Sequence, residues 1–449
     1  MNIVFLSLHG LFRSNQLELG RDADNGGQIT YVMELGKGLA LRPEVDQVTL
    51  YTRLIHQPGM GPEYSQPSEA VTPKFSIQRI PFGGPSYLPK EQLWPHLDEF
   101  VAEALAHIRR QPVQPDVIHG HYADAAYAGT RIAEALGVPY IHTGHSLGRI
   151  KLSRCLADGE ELGKALAQYR FVERFQAEED SLSRSRFVVT SSHQEINTYD
   201  EYENSTRARF KTIPPGIDFH RFLPYYHPAT SEVRKQASNA VYDRLAKFLI
   251  QPDKPMILAL CRPDRKKNLE TLVHAYGTDP VLQAMANLVI FAGVRHDVRE
   301  MLPGVQKVLL DLLLLRDKYG LDGRMSLPKT HSWDEVPEIY RLAAARRGVF
   351  VNLALTEPFG LTLLEAAASG LPVVATNDGG PSEIVPALGN GLLVAPTDVS
   401  EVQVALKRTL SDEALWMRSS HQGVLRVCDL YQWPLHVDRY LRALRDVFS

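Results

Sequence analysis

Cysteine is scarce, charge of either sign is balanced, and long apolar runs are missing. The three cysteines, Cys155, Cys261 and Cys428, are odd in number and far apart. They read as free thiols in a reducing compartment, not as a disulfide framework or a zinc site. The 49 basic and 52 acidic residues leave a formal net charge of -3. That balance gives no electrostatic footing for nucleic acid or a membrane surface as partner. No apolar stretch approaches the roughly 20 residues of a spanning helix. The opening MNIVFLSLHG has neither the basic segment nor the apolar length of a secretion signal. It reads as a first β-strand, and a cytoplasmic location is expected. Internal repeats of about 20–50 residues and low-complexity segments are absent too.

What is present is an ordinary soluble composition: 449 residues, 44% hydrophobic and 22% charged. That length favours two domains over one core. Short apolar runs alternate with helical patterns, the mark of βαβ units and parallel sheets. The first half has IVFLSL, VTLYT, VIHG, PYIHTG and RFVVTS, with helical patterns at 29–40 and 95–108. A polar, proline-containing stretch around 214–255 follows, and the alternation restarts with MILALC, LVIFAG, GVFVNLA, PVVAT and GLLVA. An α/β protein with two Rossmann-like, doubly wound parallel sheets is expected, over 1–225 and 226–428. Ligands would bind between them at the strand carboxyl ends, and a terminal helix over 429–449 is expected to pack back on the first domain.

The stretch TEPFGLTLLEAAASGLPVVAT, 356–376, carries the sharpest chemistry. Glu357 follows an apolar strand, Pro358 stiffens the turn, and Gly360 admits a ligand close to backbone amides. The helix-favouring run that follows would present free amides suited to a diphosphate. Glu365 lies about a turn and a half along that helix. Two carboxylates flanking a diphosphate can accept hydrogen bonds from hydroxyls. A lone pair of glutamates at this spacing is usually two solvated charges, but here turn, helix and strand stand in the right order. CRPDRKKN follows MILALC and puts Arg262 and Lys267 five residues apart, able to converge on one anion. Such fixed cations stabilise a leaving diphosphate as its charge grows. The turn NDGGPSE offers amides and Asp378 to hydroxyls.

In the first half, DADNGGQITYVMEL is a glycine loop opening a helix, neither a dinucleotide fingerprint nor a P-loop. Gly26 and Gly27 permit close approach, and Gln28 adds an uncharged hydrogen-bonding side chain. Asp22 and Asp24 match a metal-binding pair only by a pattern common by chance. His119, His121, His142 and His145 end two predicted strands. A metal cluster is the tempting reading; a hydrogen-bonding role for His145 is preferred, because HSLGRIK turns at once into polar and basic residues.

Together these segments, with PFGGPSYLPKEQLWPHLDEF, PDVIHGHYADA, TGHSLGR, TSSHQEI, LPKTH and VPEIYRLAA, resemble the retaining GT-B glycosyltransferases, and among them the sucrose-phosphate synthase family, from end to end of the chain. The resemblance implies a GT-B fold and transfer of glucose from UDP-glucose (ADP-glucose being the alternative) to fructose 6-phosphate, with retention. It implies Arg262 and Lys267 on the diphosphate and Glu357 on the glucose hydroxyls, aided by Asp378, Gly379 and Gly380. Phe359, Gly360, Leu361 and Thr362 would complete the donor site. Glu365 would take the ribose, and Leu327 and Lys329 would lie in the segment against the base. Gly27 and Gln28 would close over diphosphate and acceptor. His145 would meet the glucose near the reacting centre, with Ser146, Lys151, Arg170 and Arg174 facing the acceptor's phosphate. No metal is required, although stimulation by Mg2+ stays open. A separate sucrose-phosphate phosphatase is expected to act next, since the plant family's phosphatase-like region is missing.

Two departures remove positive charge from the acceptor side. Ser86 stands where the family has a lysine, and Glu173 beside Arg174 interrupts an arginine pair; Lys90 or Lys151 would compensate. The nearest rival is sucrose synthase or another retaining hexosyltransferase. Competitors of other classes are a metal-dependent hydrolase built on the histidines and a non-catalytic sugar-nucleotide binder.

Overall fold

A computed structural model describes residues 1–18, 24–157, 159–228, 231–301 and 303–448. The chain forms two compact units, residues 1–215 with 433–449 and residues 216–432. In unit 1, β1 (Asn2–Leu6), β2 (Gln47–Arg53), β3 (Ser68–Thr72), β4 (Phe75–Ile80), β5 (Val117–His121), β6 (Tyr140–Thr143), β7 (Phe187–Thr190) and β8 (Phe210–Thr212) form one sheet. Its order is β3-β4-β2-β1-β5-β6-β7-β8. Every pair is parallel except the edge hairpin β3–β4. Unit 2 holds β9 (Met256–Cys261), β10 (Asn287–Ala292), β11 (Met325–Ser326), β12 (Val349–Asn352), β13 (Val373–Thr376) and β14 (Gly391–Val394). Their order is β11-β10-β9-β12-β13-β14, all parallel.

The strands read as unbroken apolar runs because helices cover both faces of each sheet. β10, NLVIFA, is buried at every position. β3 escapes the sequence reading because SEAVT is a polar edge segment, and β4 because FSIQRI alternates apolar with polar residues instead of running apolar throughout. β8 and β11 escape it because they have only 3 and 2 residues.

The expected first boundary at 225 is corrected to 215. Residues 216–225 turn into unit 2, where Ile217 and Phe222 are buried in its core. The second expected boundary, at 428, moves to 432, because Tyr431 joins that same core. The polar stretch around 214–255 holds a helix, Glu232–Ala246, capped by the Ser231 side chain on the Arg234 amide. Its Val241 and Leu245 anchor it to unit 2.

The terminal helix, Trp433–Phe448, belongs to unit 1. Val437, Tyr440, Leu441 and Leu444 share a core with Ile3, Phe5, Val32 and Met33. Gly38 makes room for it, since a Cβ there would stand 2.7 Å from the Val437 side chain. Among the described residues no helix is long and apolar enough to cross a membrane.

Candidate active site

In unit 2 the strand order reverses direction between β9 and β12, and the loops that leave their carboxyl ends diverge to form a crevice. Both glutamate-turn and basic-turn motifs leave from there. After β9, Asp264 accepts the Lys266 amide at 3.1 Å and folds Arg265–Lys267 into a single 3-10 turn. After β12, the Leu355 amide donates to the Lys266 carbonyl at 2.8 Å, which ties the two loops together.

The result is a Lys267–Glu357 ion pair, Nζ to Oε2 at 2.5 Å. Asn352, the last residue of β12, donates to the same oxygen at 3.3 Å and lies 3.5 Å from the Thr362 hydroxyl. Burial alone would raise the Glu357 carboxyl, but the Lys267 ammonium and the Asn352 amide hold it below its ordinary value. Burial likewise disfavours the Lys267 charge, and Glu357 overrides it, so the lysine is held above its usual range. Both stay ionised through neutral pH. Arg262 is half-buried at the mouth of the same loop.

The turn after β13 is built against this pair. Gly379 has φ +69°, and an added Cβ would lie 2.3 Å from the Glu357 carbonyl oxygen. The Gly380 amide donates to that oxygen at 2.9 Å. Asp378 is exposed and accepts from the Thr356 hydroxyl at 3.4 Å. Gly360, at φ +107°, caps the helix Leu361–Ala368, whose first residues are Leu361 and Thr362. Phe359 is buried and packs on Tyr431. The backbone thus gathers the glutamate turn, the Gly-Gly turn and a helix start at one place.

Glu365 accepts a hydrogen bond from the Tyr340 hydroxyl at 2.9 Å. Burial pushes its carboxyl up to about 7, against the opposing pull of Arg221 and Tyr340. Arg221 lies over the Trp333 ring at 3.4 Å and donates to the Trp333 carbonyl. Leu327 is buried and Lys329 is exposed, at the end of β11. Buried Arg295 holds this segment: its guanidinium reaches the Leu327 and Pro328 carbonyls at 3.1 Å each. Its amide donates to the Lys329 carbonyl at 2.8 Å. Sequence reasoning missed Asn352, Tyr340, Arg221 and Arg295. Only Asn352 carried a signal, as an amide closing an otherwise apolar strand.

Unit 1 has its own reversal, between β1 and β5. Past β1, His9 pairs with Asp124 at 2.7 Å, both buried. Burial opposes the imidazolium, and Asp124 more than offsets it, so His9 titrates above its usual value. Gln28 donates to the Ser7 hydroxyl at 2.9 Å and to the His121 carbonyl at 3.4 Å. Gly27 opens the helix and is exposed, and a Cβ on Gly26 would meet no atom within 4 Å among the described residues. Asp22 lies outside the described residues, and Asp24 pairs with Lys90 and accepts from the Tyr87 hydroxyl at 3.3 Å.

The basic residues on this side all carry partners. Lys90 faces Asp24 and Glu91, and Lys151 reaches Glu91 at 3.1 Å and lies over the Tyr169 ring at 3.8 Å. Burial, with Lys90 and Arg174 nearby, pushes Lys151 down to about 8 in spite of Glu91. Arg174 is buried, pairs with Glu178 at 2.9 Å, donates to the Ser146 carbonyl at 2.8 Å and lies over the Tyr122 ring. It therefore shapes the HSLGRIK turn from below. Ser146 is exposed on that turn. Arg170 is half-exposed and pairs with Glu173 at 3.2 Å.

The four histidines do not meet at one point: His119, His121 and His145 stand ring to ring, while His142 turns to Tyr140. His119 engages the Thr143 hydroxyl at 2.8 Å and the Tyr440 hydroxyl at 2.9 Å. His142 meets Tyr140, and His121 meets His145 at 3.1 Å. Among the described residues no group of three or more His, Cys, Asp or Glu side chains is arranged to hold a metal ion.

Comparison with known proteins agrees with this layout. Residues 1–218 match the family described as sucrose synthase first GT-B domain, and residues 243–423 match glycosyl transferases group 1. The chain is 43% identical to a probable sucrose-phosphate synthase 2 of Arabidopsis thaliana, over 98% of this chain and 47% of that protein. It thus spans about half the length of the curated relatives it matches. Among solved structures, a sucrose-phosphate synthase from Thermosynechococcus elongatus superposes with a TM-score of 0.78 at 26% identity, covering 100% of this chain and 99% of the other. Anabaena HepE in complex with UDP-glucose superposes at 0.66 with 16% identity, over 99% and 100% of the two chains, a likeness of fold alone.

Proposed function

Since this chain belongs to the GT-B glycosyltransferases and is homologous to the sucrose-phosphate synthases, we propose that it moves glucose from UDP-glucose to fructose 6-phosphate with retention of configuration. The observation that carries the proposal is the half-buried Lys267–Glu357 pair at the β9–β12 reversal, with the Gly379–Gly380 turn against the glutamate's backbone. Lys267 and Arg262 supply positive charge where a departing diphosphate gains negative charge. A unit charge pair about 4 Å apart is worth roughly 4 kcal/mol at an effective dielectric near 20. Donor binding would draw Lys267 toward phosphate and free Glu357 to accept hydrogen bonds from glucose hydroxyls. Glu365 would grasp the ribose, and the Leu327–Lys329 backbone would meet the base. The diphosphate oxygen that leaves would take the acceptor's proton on the same face, as negative charge grows on it. Product would leave still phosphorylated.

On the acceptor side, Lys90 and Lys151 supply the charge that Ser86 and Glu173 do not. The name of the Anabaena structure, a fold neighbour with UDP-glucose, supports the choice of donor. The test supplies UDP-glucose with fructose 6-phosphate or with fructose and measures UDP release. Release is expected with the phosphorylated sugar, and an equal or faster rate with fructose would sink the acceptor assignment. Lys267→Ala and Glu357→Ala are expected to lose about a hundredfold or more in kcat/KM; full activity in either would sink the donor site.

A further inference from the structure

His121 closes β5 and is fully buried. Its Nδ1 lies 3.1 Å from Nε2 of His145, so one proton is shared between the rings. Burial holds His121 well below the usual histidine range and pushes His145 down to about 3. Both rings are therefore neutral at physiological pH, and each carries a single N–H.

Only two arrangements satisfy the contact. If His145 donates from Nε2, His121 must accept on Nδ1 and carry its own proton on Nε2. That Nε2 is buried with no hydrogen-bond partner among the described residues. Its surroundings are the rings of Phe5 at 5.2 Å, His119 at 4.0 Å and Tyr31 at 5.9 Å, centroid to centroid. His119 has no spare acceptor, since both its nitrogens engage Thr143 and Tyr440. If His121 instead donates from Nδ1, its Nε2 keeps only an idle lone pair. A buried N–H without an acceptor is rarer and costlier than an unfilled lone pair. The second arrangement wins, and it leaves the proton of His145 on Nδ1.

We propose that His121 is a positioning residue that holds His145 as the Nδ1–H tautomer, so that His145 offers an N–H donor to a sugar hydroxyl during transfer. The inference rests on the proposed glucose transfer and on the place near the reacting centre that the sequence resemblance implies for His145. A second feature shows the same ring being held in place. His145 has φ +56°, in the left-handed region that non-glycine residues uncommonly occupy. The Tyr31 ring packs against its edge at 5.1 Å. Gln28, from the glycine loop, grips the His121 carbonyl and so ties this pair to the loop expected to close on substrate.

The experiment combines nitrogen NMR on histidine-labelled full chain with kinetics of His121→Phe, His121→Asn and His145→Ala. In the wild type, the His145 signals are expected to show a protonated Nδ1 and a bare Nε2. His121→Phe fills the space without donating, and is expected to release His145 toward the Nε2–H form and lower kcat roughly tenfold to a hundredfold. UDP affinity should not change. His121→Asn puts an amide N–H near the lost Nδ1–H and is expected to recover a substantial part of kcat. A wild-type His145 protonated on Nε2 would overturn the inference, whether or not any variant folds. So would wild-type kcat in His121→Phe while His145→Ala is impaired. Full activity in His145→Ala would instead overturn the reading of the site itself.

Discussion

Lys151 in unit 1 and Glu357 in unit 2 illustrate how opposite balances of burial and pairing give two kinds of charge. Glu357 and Lys267 neutralise each other in one half-buried place, which holds the carboxyl below its ordinary range and the lysine above its own. The carboxylate's depressed value means that the pair's contribution to stability is present above the ordinary carboxylate range and is lost only as pH falls through that lowered value. Lys151 has a partner too, but burial and two neighbouring cations outweigh Glu91 and bring it to about 8. A lysine is charged below its pKa, so the hold on the acceptor's phosphate proposed for Lys151 would weaken as pH rises past that value. The KM for fructose 6-phosphate is accordingly expected to rise several-fold from about pH 7 to about pH 9. Lys151→Arg should flatten that rise, because arginine stays protonated. A KM that is flat in the wild type would show that Lys151 does not meet the phosphate.

At the scale of elements, the loops at each sheet's reversal do the positioning, and their glycines are the clearest case. Gly379 is required twice over, by its left-handed φ of +69° and by the Glu357 carbonyl 2.3 Å from where a Cβ would stand. Gly379→Ala therefore has to move the glutamate turn or its own. A non-glycine residue in left-handed backbone costs about 1–2 kcal/mol before any clash is counted. The variant is expected to melt lower and to bind UDP about tenfold more weakly, read by calorimetry. Unchanged UDP affinity would detach this turn from the donor site. The Gly-Gly motif was legible in the sequence as a turn before a helix. Its contact with the 357–359 backbone was not, because the two segments are about 20 residues apart and meet only through strand pairing of β12 with β13.

At the scale of the molecule, the chain leaves unit 1 at 215 and returns to it at 433. The terminal helix supplies Val437, Tyr440, Leu441 and Leu444 to the unit 1 core, all at 0–2% exposure. Each such side chain is worth roughly 1.5–3 kcal/mol. Together they match a large part of the about 5–15 kcal/mol that holds a domain folded. A chain ending at Gln432 is expected to lose the cooperative melting of unit 1 and become protease-sensitive there, while the unit 2 residues still bind UDP. Retention of both transitions would show that the helix is an accessory. The helix also carries Tyr440 and His436, which engage His119 and Tyr31 beneath the histidine pair.

What the sequence determined by itself was local and periodic: the apolar runs that became β9, β10, β12 and β13, the glycine turns, and the E-x7-E helix start. Strands buried on both faces and turns that demand special backbone announce themselves within a few residues. Distant pairings were decided only by the tertiary structure. Arg295 under the Leu327–Lys329 backbone, Arg221 beside Glu365, and Arg174 beneath Ser146 look like any solvated arginine in the chain. Their roles arise because folding removes them from water and leaves one set of acceptors within reach. The same holds for His121 and His145, 24 residues apart. Two histidines, for which the sequence left a metal site as the lesser reading beside a hydrogen-bonding role for His145, form one hydrogen-bonded pair once parallel strands bring their ends together. A buried charge or N–H must find a partner, and which partner it finds is a property of the fold.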